Sequence, residues 1–556
     1  MQEGNLSMPR NIPRYVKYFL PFVWILCVTP ALQSQQEPLV LKSTTRLVQV
    51  NAIIHRGGQP VTDLKAADFQ VFDDGKPQKI SFFQMETNAI LPASTSPLPP
   101  NTFTNHLEQQ SGTPSAVTVI LLDALNTRLT DQAYAKQQVI KFLQTIEPDD
   151  HIGIYTLGGS LRVLHDYTND SRDLLRQLAA YNPQLPIERV LSTGSDTGNN
   201  ELLEMDNWLG GRGLAGGERD FYTVNRVIGT LRALEFIADH LSAIPGRKNL
   251  IWVSGGFPSL IGFDNPRVQN DPSRTQSTFT DEISRTVRAL NDANVAVYPV
   301  DARGLMVDPR YSAEKSGAEV IRQTRPGAWP RPPVGSKNQD TMIELADRTG
   351  GRAYYNTNDF KHAIRDAVSD AQVTYTIGFY PEKENFDSKF HKISLKVAGS
   401  GLNVRYRKGY FDLPQSPQDD AARKAELRDA VWSPLDATAI PLVAQMRPGQ
   451  GANSWDVWVK IERSGVSLEQ SGDRWAGKLD ILFVQKDTQG RQFNGLDNTI
   501  QLNVKQENYD KISKDGFLFH QPIERNARAS ELRVAVRDAA SGNIGTVTVP
   551  FNQLTK

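Results

Sequence analysis

The stretch "VTVILLDALNT", Val117 to Thr127, is an unbroken apolar run that ends on one carboxylate, Asp123. Side chains alternate faces along a strand, so apolar residues at every position mean burial on both faces, as in the parallel strands of α/β sheets. The carboxyl ends of such strands are where open α/β sheets bind ligands. Asp123 is therefore either a ligand for a metal ion or the mark of a strand's end.

The text downstream repeats an alternation of strand and helix. After Asp123, Ala133, Val139, Phe142 and Leu143 form a helical apolar face that stops before Pro148. "HIGIYTLG" (151–158) and "LRVLHDY" (161–167) read as strands joined by a Gly-Gly turn, and a helix is expected over 170–180. Val224, Val227, Ile228, Leu231, Leu234 and Ala238 recur at helical spacing. Further strands follow at "GRKNLIWVSGG" (246–256), "VAVYPVDA" (295–302), "GRAYYN" (351–356) and "VTYTIGFYP" (373–381), with helices at 279–292, 340–348 and 359–370 between them. This predicts a doubly wound, mainly parallel α/β sheet over 116–381, with insertions at 183–220 and 307–338.

The flanks read as β structure. Residues 36–88 form a small β module with a hairpin around Asp74-Gly75, and 89–115 is a Pro/Ser/Thr-rich linker. A β extension is expected at 382–411 and a charged helical linker at 412–435. The alternating "WDVWVKIE" and "KLDILFVQ" within 436–556 predict a β-sandwich-like domain. The expected architecture is multidomain, in keeping with 556 residues, too many for one ordinary core.

Lys plus Arg equals Asp plus Glu at 62 each, so no global field selects nucleic acid or anionic lipid. Apolar content of 39% and charged content of 22% suit a soluble globular chain. At the start, Arg10, Arg14 and Lys17 precede "YFLPFVWILCVTPAL" and polar "QSQQEP", the layout of a secretory signal peptide over 1–35. The run is broken by Pro21 and Pro30 and is short for a membrane span of about 20 residues. Cys27, the one cysteine, falls inside it, so cleavage leaves a chain without disulfide or thiolate chemistry. An exported protein, periplasmic or secreted, is expected.

These motifs carry a resemblance. An apolar strand ending in Asp, then "D-x-I-G-I-Y-T-L" and "G-R-K-N-L-I-W-V-S-G-G", follow the order of von Willebrand factor A-type domains. "PVTDLKAADFQVFDDGKPQKISFF" before the domain, and "GGRAYYNTNDFKHAIRDAVSDAQVTYTIGFYP" and "FHKISLKVAGSGLNVRYRKGYF" after it, resemble the VWFA-related domain family found mainly in Acidobacteria. The similarity covers roughly residues 38–411. It implies a metal-ion-dependent adhesion site, in which Asp-x-Ser-x-Ser, a second-loop Thr and a third-loop Asp hold Mg²⁺ or Mn²⁺ and a partner's carboxylate completes the shell. Here Asp123 and Thr127 match the first loop, and Thr223 stands for the second-loop threonine. Leu125 replaces the first serine, and Ser254-Gly255-Gly256 lacks the third carboxylate, with Asn126 or Asp301 as substitutes. The site is degenerate, no cofactor is expected, and the plainer role for Asp123 is to cap nearby backbone N–H groups.

Enzyme signatures are weak. "GRGLAG" at Gly211 has no preceding strand, Asp196-Thr197-Gly198 lacks apolar flanks, and the eight histidines show no ligand spacing. The chain reads as a non-enzymatic adhesion-type protein acting through protein–protein or envelope contacts. Asn126, Phe257 beside the metal position, and Trp329 in the Pro/Arg loop are its candidate contact residues. A hydrolase with its site in the C-terminal domain or the 183–220 insertion, and a purely structural envelope component, are the alternatives.

Overall fold

The seven residues Val117–Asp123 are all buried, as apolar side chains on both faces of a strand require. The computed structural model describes residues 47–87, 98–106, 116–183, 214–257, 279–305, 336–381, 389–411, 419–451 and 453–555. The signal-peptide segment, most of both insertions, Asp196, Gly211 and Trp329 lie outside the described residues.

The first strands are β1 (Val48–Arg56), β2 (Gln59–Pro60), β3 (Phe69–Asp73), β4 (Lys76–Gln78), β5 (Ile80–Thr87) and β6 (Thr102–Thr104). An alternating region follows: β7 (Val117–Asp123), α1 (Leu129–Leu143), β8 (Ile152–Leu157), β9 (Leu161–Thr168), α2 (Ser171–Ala180), α3 (Leu214–Leu241), β10 (Lys248–Ser254), α4 (Thr280–Asp292), β11 (Val295–Asp301), α5 (Ser336–Thr349) and α6 (Phe360–Ser369). Next come β12 (Val373–Phe379), β13 (Phe390–Val397), β14 (Leu402–Arg405), β15 (Gly409–Phe411) and α7 (Asp420–Trp432). The chain finishes with β16 (Leu442–Pro448), β17 (Ser454–Ile461), β18 (Glu469–Ser471), β19 (Arg474–Lys486), β20 (Gln492–Lys505), α8 (Gln506–Asp515), β21 (Phe517–Glu524), β22 (Glu531–Asp538) and β23 (Ile544–Pro550).

The protein is mixed α/β. Its parallel-containing sheet has the order β11-β10-β7-β8-β9, with β9 antiparallel to β8. Val119, Leu121, Leu250 and Trp252 pack against α3, α4 and α5, and Ile120, Leu122, Ile154 and Tyr298 against α1, α2 and α6. Helices thus cover both faces, and β7 sits at the centre with its carboxyl end opening onto the loops that follow.

Several expectations about strands and linkers are corrected. Strand β12 does not complete this sheet; it pairs antiparallel with β1 and β5. Its alternation explains why: Tyr375, Ile377 and Phe379 face a core shared with Val48, Val50 and Ala52, whereas a strand inside the parallel sheet needs both faces apolar. With β13 on β3 and β14 on β1, the module before the α/β region and the extension after it make one β unit, and the α/β region is inserted within it. "GRAYYN" forms a single bridge, Tyr354 to Val300, rather than a strand. At Gly351 a Cβ would lie 1.9 Å from the Val297 carbonyl oxygen, so only glycine admits the approach.

The 89–115 segment is not linker throughout. Its Thr102–Thr104 pairs with β16 as the edge of the sheet β21-β17-β16-β6. This sheet faces the sheet of β18, β19, β22, β23 and β20 across Leu442, Val457, Ile481 and Val534. Helix α7, expected as a linker, lays Leu427 and Val431 on Leu482, Val484 and Ala535 and so covers the sheet's outer face. Residues Thr44–Lys556 cluster as one compact unit. Among the described residues no helix is long and apolar enough to cross a membrane.

Lys248, at the start of β10, is 2% exposed and donates to the Ile244 carbonyl at 2.6 Å. Burial pulls its amine down to about 7, against the opposing pull of the Glu86 carboxylate. Between pH 7 and the ordinary lysine range the unfolded chain holds a proton that the folded chain has given up. Stability therefore rises with pH across that window. Lys248→Met should stabilise the fold by about 1–2 kcal/mol at pH 7. In urea titrations at a series of pH values the gain should shrink toward pH 10, and a pH-independent gain would contradict the assignment.

Candidate functional site at the carboxyl end of the parallel sheet

Asp123 ends β7 and is 2% exposed. Its carboxylate accepts four hydrogen bonds. Oδ1 takes one from the Asn126 backbone N–H (3.0 Å), and Oδ2 takes one each from Asn126 Nδ2 (2.9 Å), Trp252 Nε1 (3.0 Å) and Ser254 Oγ (2.8 Å). Burial raises its pKa, and the bonds from Asn126, Ser254 and Trp252 pull it back down. A desolvated carboxylate is tolerated when donors surround it, and here every donor comes from the chain.

The companions are similarly engaged. Thr127 is buried, and its Oγ1 accepts from the Gly255 backbone N–H at 2.8 Å. Asn126 Nδ2 also donates to Thr230 Oγ1, which in turn donates to the Arg226 carbonyl. Asp301 is gripped by Arg303 through Nε at 2.9 Å and a terminal nitrogen at 2.7 Å. Thr223 lies within α3, and its side chain lies outside the described residues. The helix places Thr230, not a residue anticipated from the sequence, on the first loop. Its signal was a hydroxyl set between Val227 and Leu231 on the apolar stripe, and it is fully buried there.

Phe257, expected at a contact surface, is corrected to a core residue. It is fully buried, with its ring edge-on to Trp252 at 5.6 Å. Asn126 stands at the rim, but its amide nitrogen is committed to Asp123 and Thr230. A cavity of about 10 Å³ lies beneath, lined by Asp123, Thr127, Gln132, Tyr181 and Ala302 among others. That is about the space one water needs and far below the hundreds of Å³ of a small-molecule site.

A divalent ion does not fit these residues. Mg²⁺ demands a near-octahedral set of oxygens. Both Asp123 oxygens face N–H or O–H donors whose positive ends would oppose a cation. Thr127 Oγ1 is turned to Gly255, and Asp301 already carries a guanidinium. Among the described residues, the oxygens there without a hydrogen-bond donor, Asn126 Oδ1 and Gln132 Oε1, are neutral carbonyls and do not replace a carboxylate.

No family model matches the chain, and no curated protein matches it. Among solved structures, it is similar to an aerotolerance-related membrane protein from Bacteroides fragilis carrying multiple mutations to serines. Identity is 15%, over 46% of this chain and 98% of that one, with a TM-score of 0.25. Matrix protein 1 of the mussel byssus proximal thread is 12% identical over 48% of each chain, with a TM-score of 0.23. The vWF domain of the type V pilus tip protein Mfa5 from Porphyromonas gingivalis is 12% identical over 33% of this chain and 79% of that one, with a TM-score of 0.19.

Proposed function

We propose that the chain is an exported, non-enzymatic binding protein of the cell envelope, whose von Willebrand A-like unit recognises a protein partner without a metal ion. The observation that carries this reading is the Asp123 carboxylate, closed by four donors of the chain itself. The doubly wound A-type arrangement is supported by the parallel sheet order and by helices on both faces. Export is supported by the basic, apolar and polar layout of residues 1–35. A rigid, metal-free sheet end leaves recognition to the surrounding loops.

The test is calorimetric titration of Mg²⁺, Mn²⁺ and Ca²⁺ into chelator-treated full chain, alongside Asp123→Ala. The expected result is no binding that depends on Asp123, even at about millimolar metal. Binding of the labelled chain to isolated cell envelopes should likewise survive chelator. Micromolar metal binding lost in Asp123→Ala, or envelope binding abolished by chelator and restored by Mg²⁺, would refute the metal-free reading.

A further inference from the structure

We propose that Asp73, Asp74 and His391 form a zinc site on the β unit, remote in sequence from Asp123 and built independently of it. Two strands create it. β3 ends at Asp73, and the turn Asp74-Gly75, with φ of 46° and 80°, reverses the chain into β4. Positive φ at both turn residues is what a two-residue type I′ hairpin requires. The turn folds Asp74 back onto β13, where its backbone N–H donates to the Lys392 carbonyl at 2.9 Å. His391 on β13 lies directly opposite Tyr410 on β15, and the two rings stack at 5.2 Å and 19°.

Each carboxylate has one oxygen held by the scaffold and the other turned toward the imidazole. Tyr410 OH donates to Asp73 Oδ2 at 3.0 Å, and the Lys392 backbone N–H donates to Asp74 Oδ1 at 2.8 Å. Asp74 Oδ2 lies 2.9 Å from His391 Nδ1, and Asp73 Oδ1 lies 4.0 Å from it. One ligand atom from each of the three residues falls within 4.8 Å of the others. Zinc bonds to nitrogen and oxygen of about 2.0–2.2 Å set tetrahedral ligand atoms about 3.3 Å apart. The two measured edges bracket that length, so small side-chain shifts suffice. Outer contacts that orient ligating carboxylates and imidazoles are the usual support of zinc ligands, and Tyr410 and Lys392 supply them here.

An imidazole with two carboxylates selects zinc over calcium and magnesium, which favour all-oxygen shells. Three protein ligands leave the fourth position to water. Access is from the Asp74 side. That side chain is 52% exposed, while Asp73 and His391 are 11% and 14% exposed.

The experiment is calorimetric titration of Zn²⁺ into the chelator-treated full chain, with Ca²⁺ and Mg²⁺ as comparators. One zinc per chain is expected. Tyr410→Phe should weaken it about tenfold, and His391→Ala and Asp74→Asn by about a hundredfold or more. Asp123→Ala should bind zinc as the parent does, which separates this site from the sheet end. Asp74→Asn sits at the surface turn and keeps the test valid if His391→Ala fails to fold. No zinc binding by the parent, undiminished binding in Asp74→Asn, or calcium bound more tightly than zinc would overturn the proposal.

Discussion

Asp123→Ala is expected to lower the unfolding free energy by about 2–4 kcal/mol in metal-free buffer. The loss does not come from any intrinsic gain in burying a carboxylate, since burial raises the pKa of Asp123 and disfavours its charged form. It comes from what truncation leaves behind. The Trp252 N–H, the Ser254 hydroxyl and the Asn126 amide groups would face a space that holds no acceptor, and each stranded donor carries a desolvation cost. A carboxylate kept open for a cation behaves oppositely, because its removal relieves charge and leaves apo stability within about 0.5 kcal/mol. Urea denaturation of the two chains after chelation distinguishes the cases, and an unchanged midpoint would sink the structural role.

Arg405→Ala should be costlier still, about 3–5 kcal/mol by the same measurement. Asp370 caps the carboxyl end of α6, where the helix dipole is itself negative, and its side chain is fully buried. Both of its oxygens are held by the Arg405 guanidinium, one at 2.6 Å, with Tyr298 OH donating at 2.8 Å. Arg405 ends β14, so one ion pair ties the β unit to the inserted α/β region. Without the arginine, the buried charge keeps only a phenol as side-chain donor among the described residues. Replacing both partners, in Arg405→Met with Asp370→Asn, should recover most of the loss, because the stranded charge goes with them. A cost below about 1 kcal/mol for Arg405→Ala would mean that the pair is solvated and does not join the regions.

What the sequence revealed follows the range of each interaction. The all-apolar run of β7, the helical stripes of α1 and α3 and the Asp74-Gly75 turn are local, and each was legible because its cause lies within a few residues. Pairings across the chain were not. Thr376 on β12 donates to Asn51 on β1 across 325 positions, and periodicity alone does not name a strand's neighbour. Some signals were present and outweighed. "TFT" is a β-favouring trio inside proline-rich text, and Leu427 with Val431 gives α7 an apolar stripe that a linker does not need. At the sheet end, the missing carboxylate of Ser254-Gly255-Gly256 was readable as a defect. That Ser254 and Trp252 turn donors onto Asp123 was not, since it depends on the register of β7 with β10. The grouping of His391 with Asp74 was equally hidden, because histidine spacing reports only ligands close in sequence.

The short edge strand Thr102–Thr104 also governs the order of assembly. Thr104 Oγ1 donates to the Leu442 carbonyl across 338 positions, and Asn101 Nδ2 to that of Thr555 across 454. During synthesis this edge emerges long before its partners, whereas the parallel sheet between them needs only nearer contacts. Closing the longer loops costs more chain entropy, and topologies rich in such contacts fold slowly. The α/β region can therefore form first, while residues 101–104 wait for Leu442 and Thr555. The last sandwich is then completed after the α/β region, and until that moment its β16 edge stays open to mispairing.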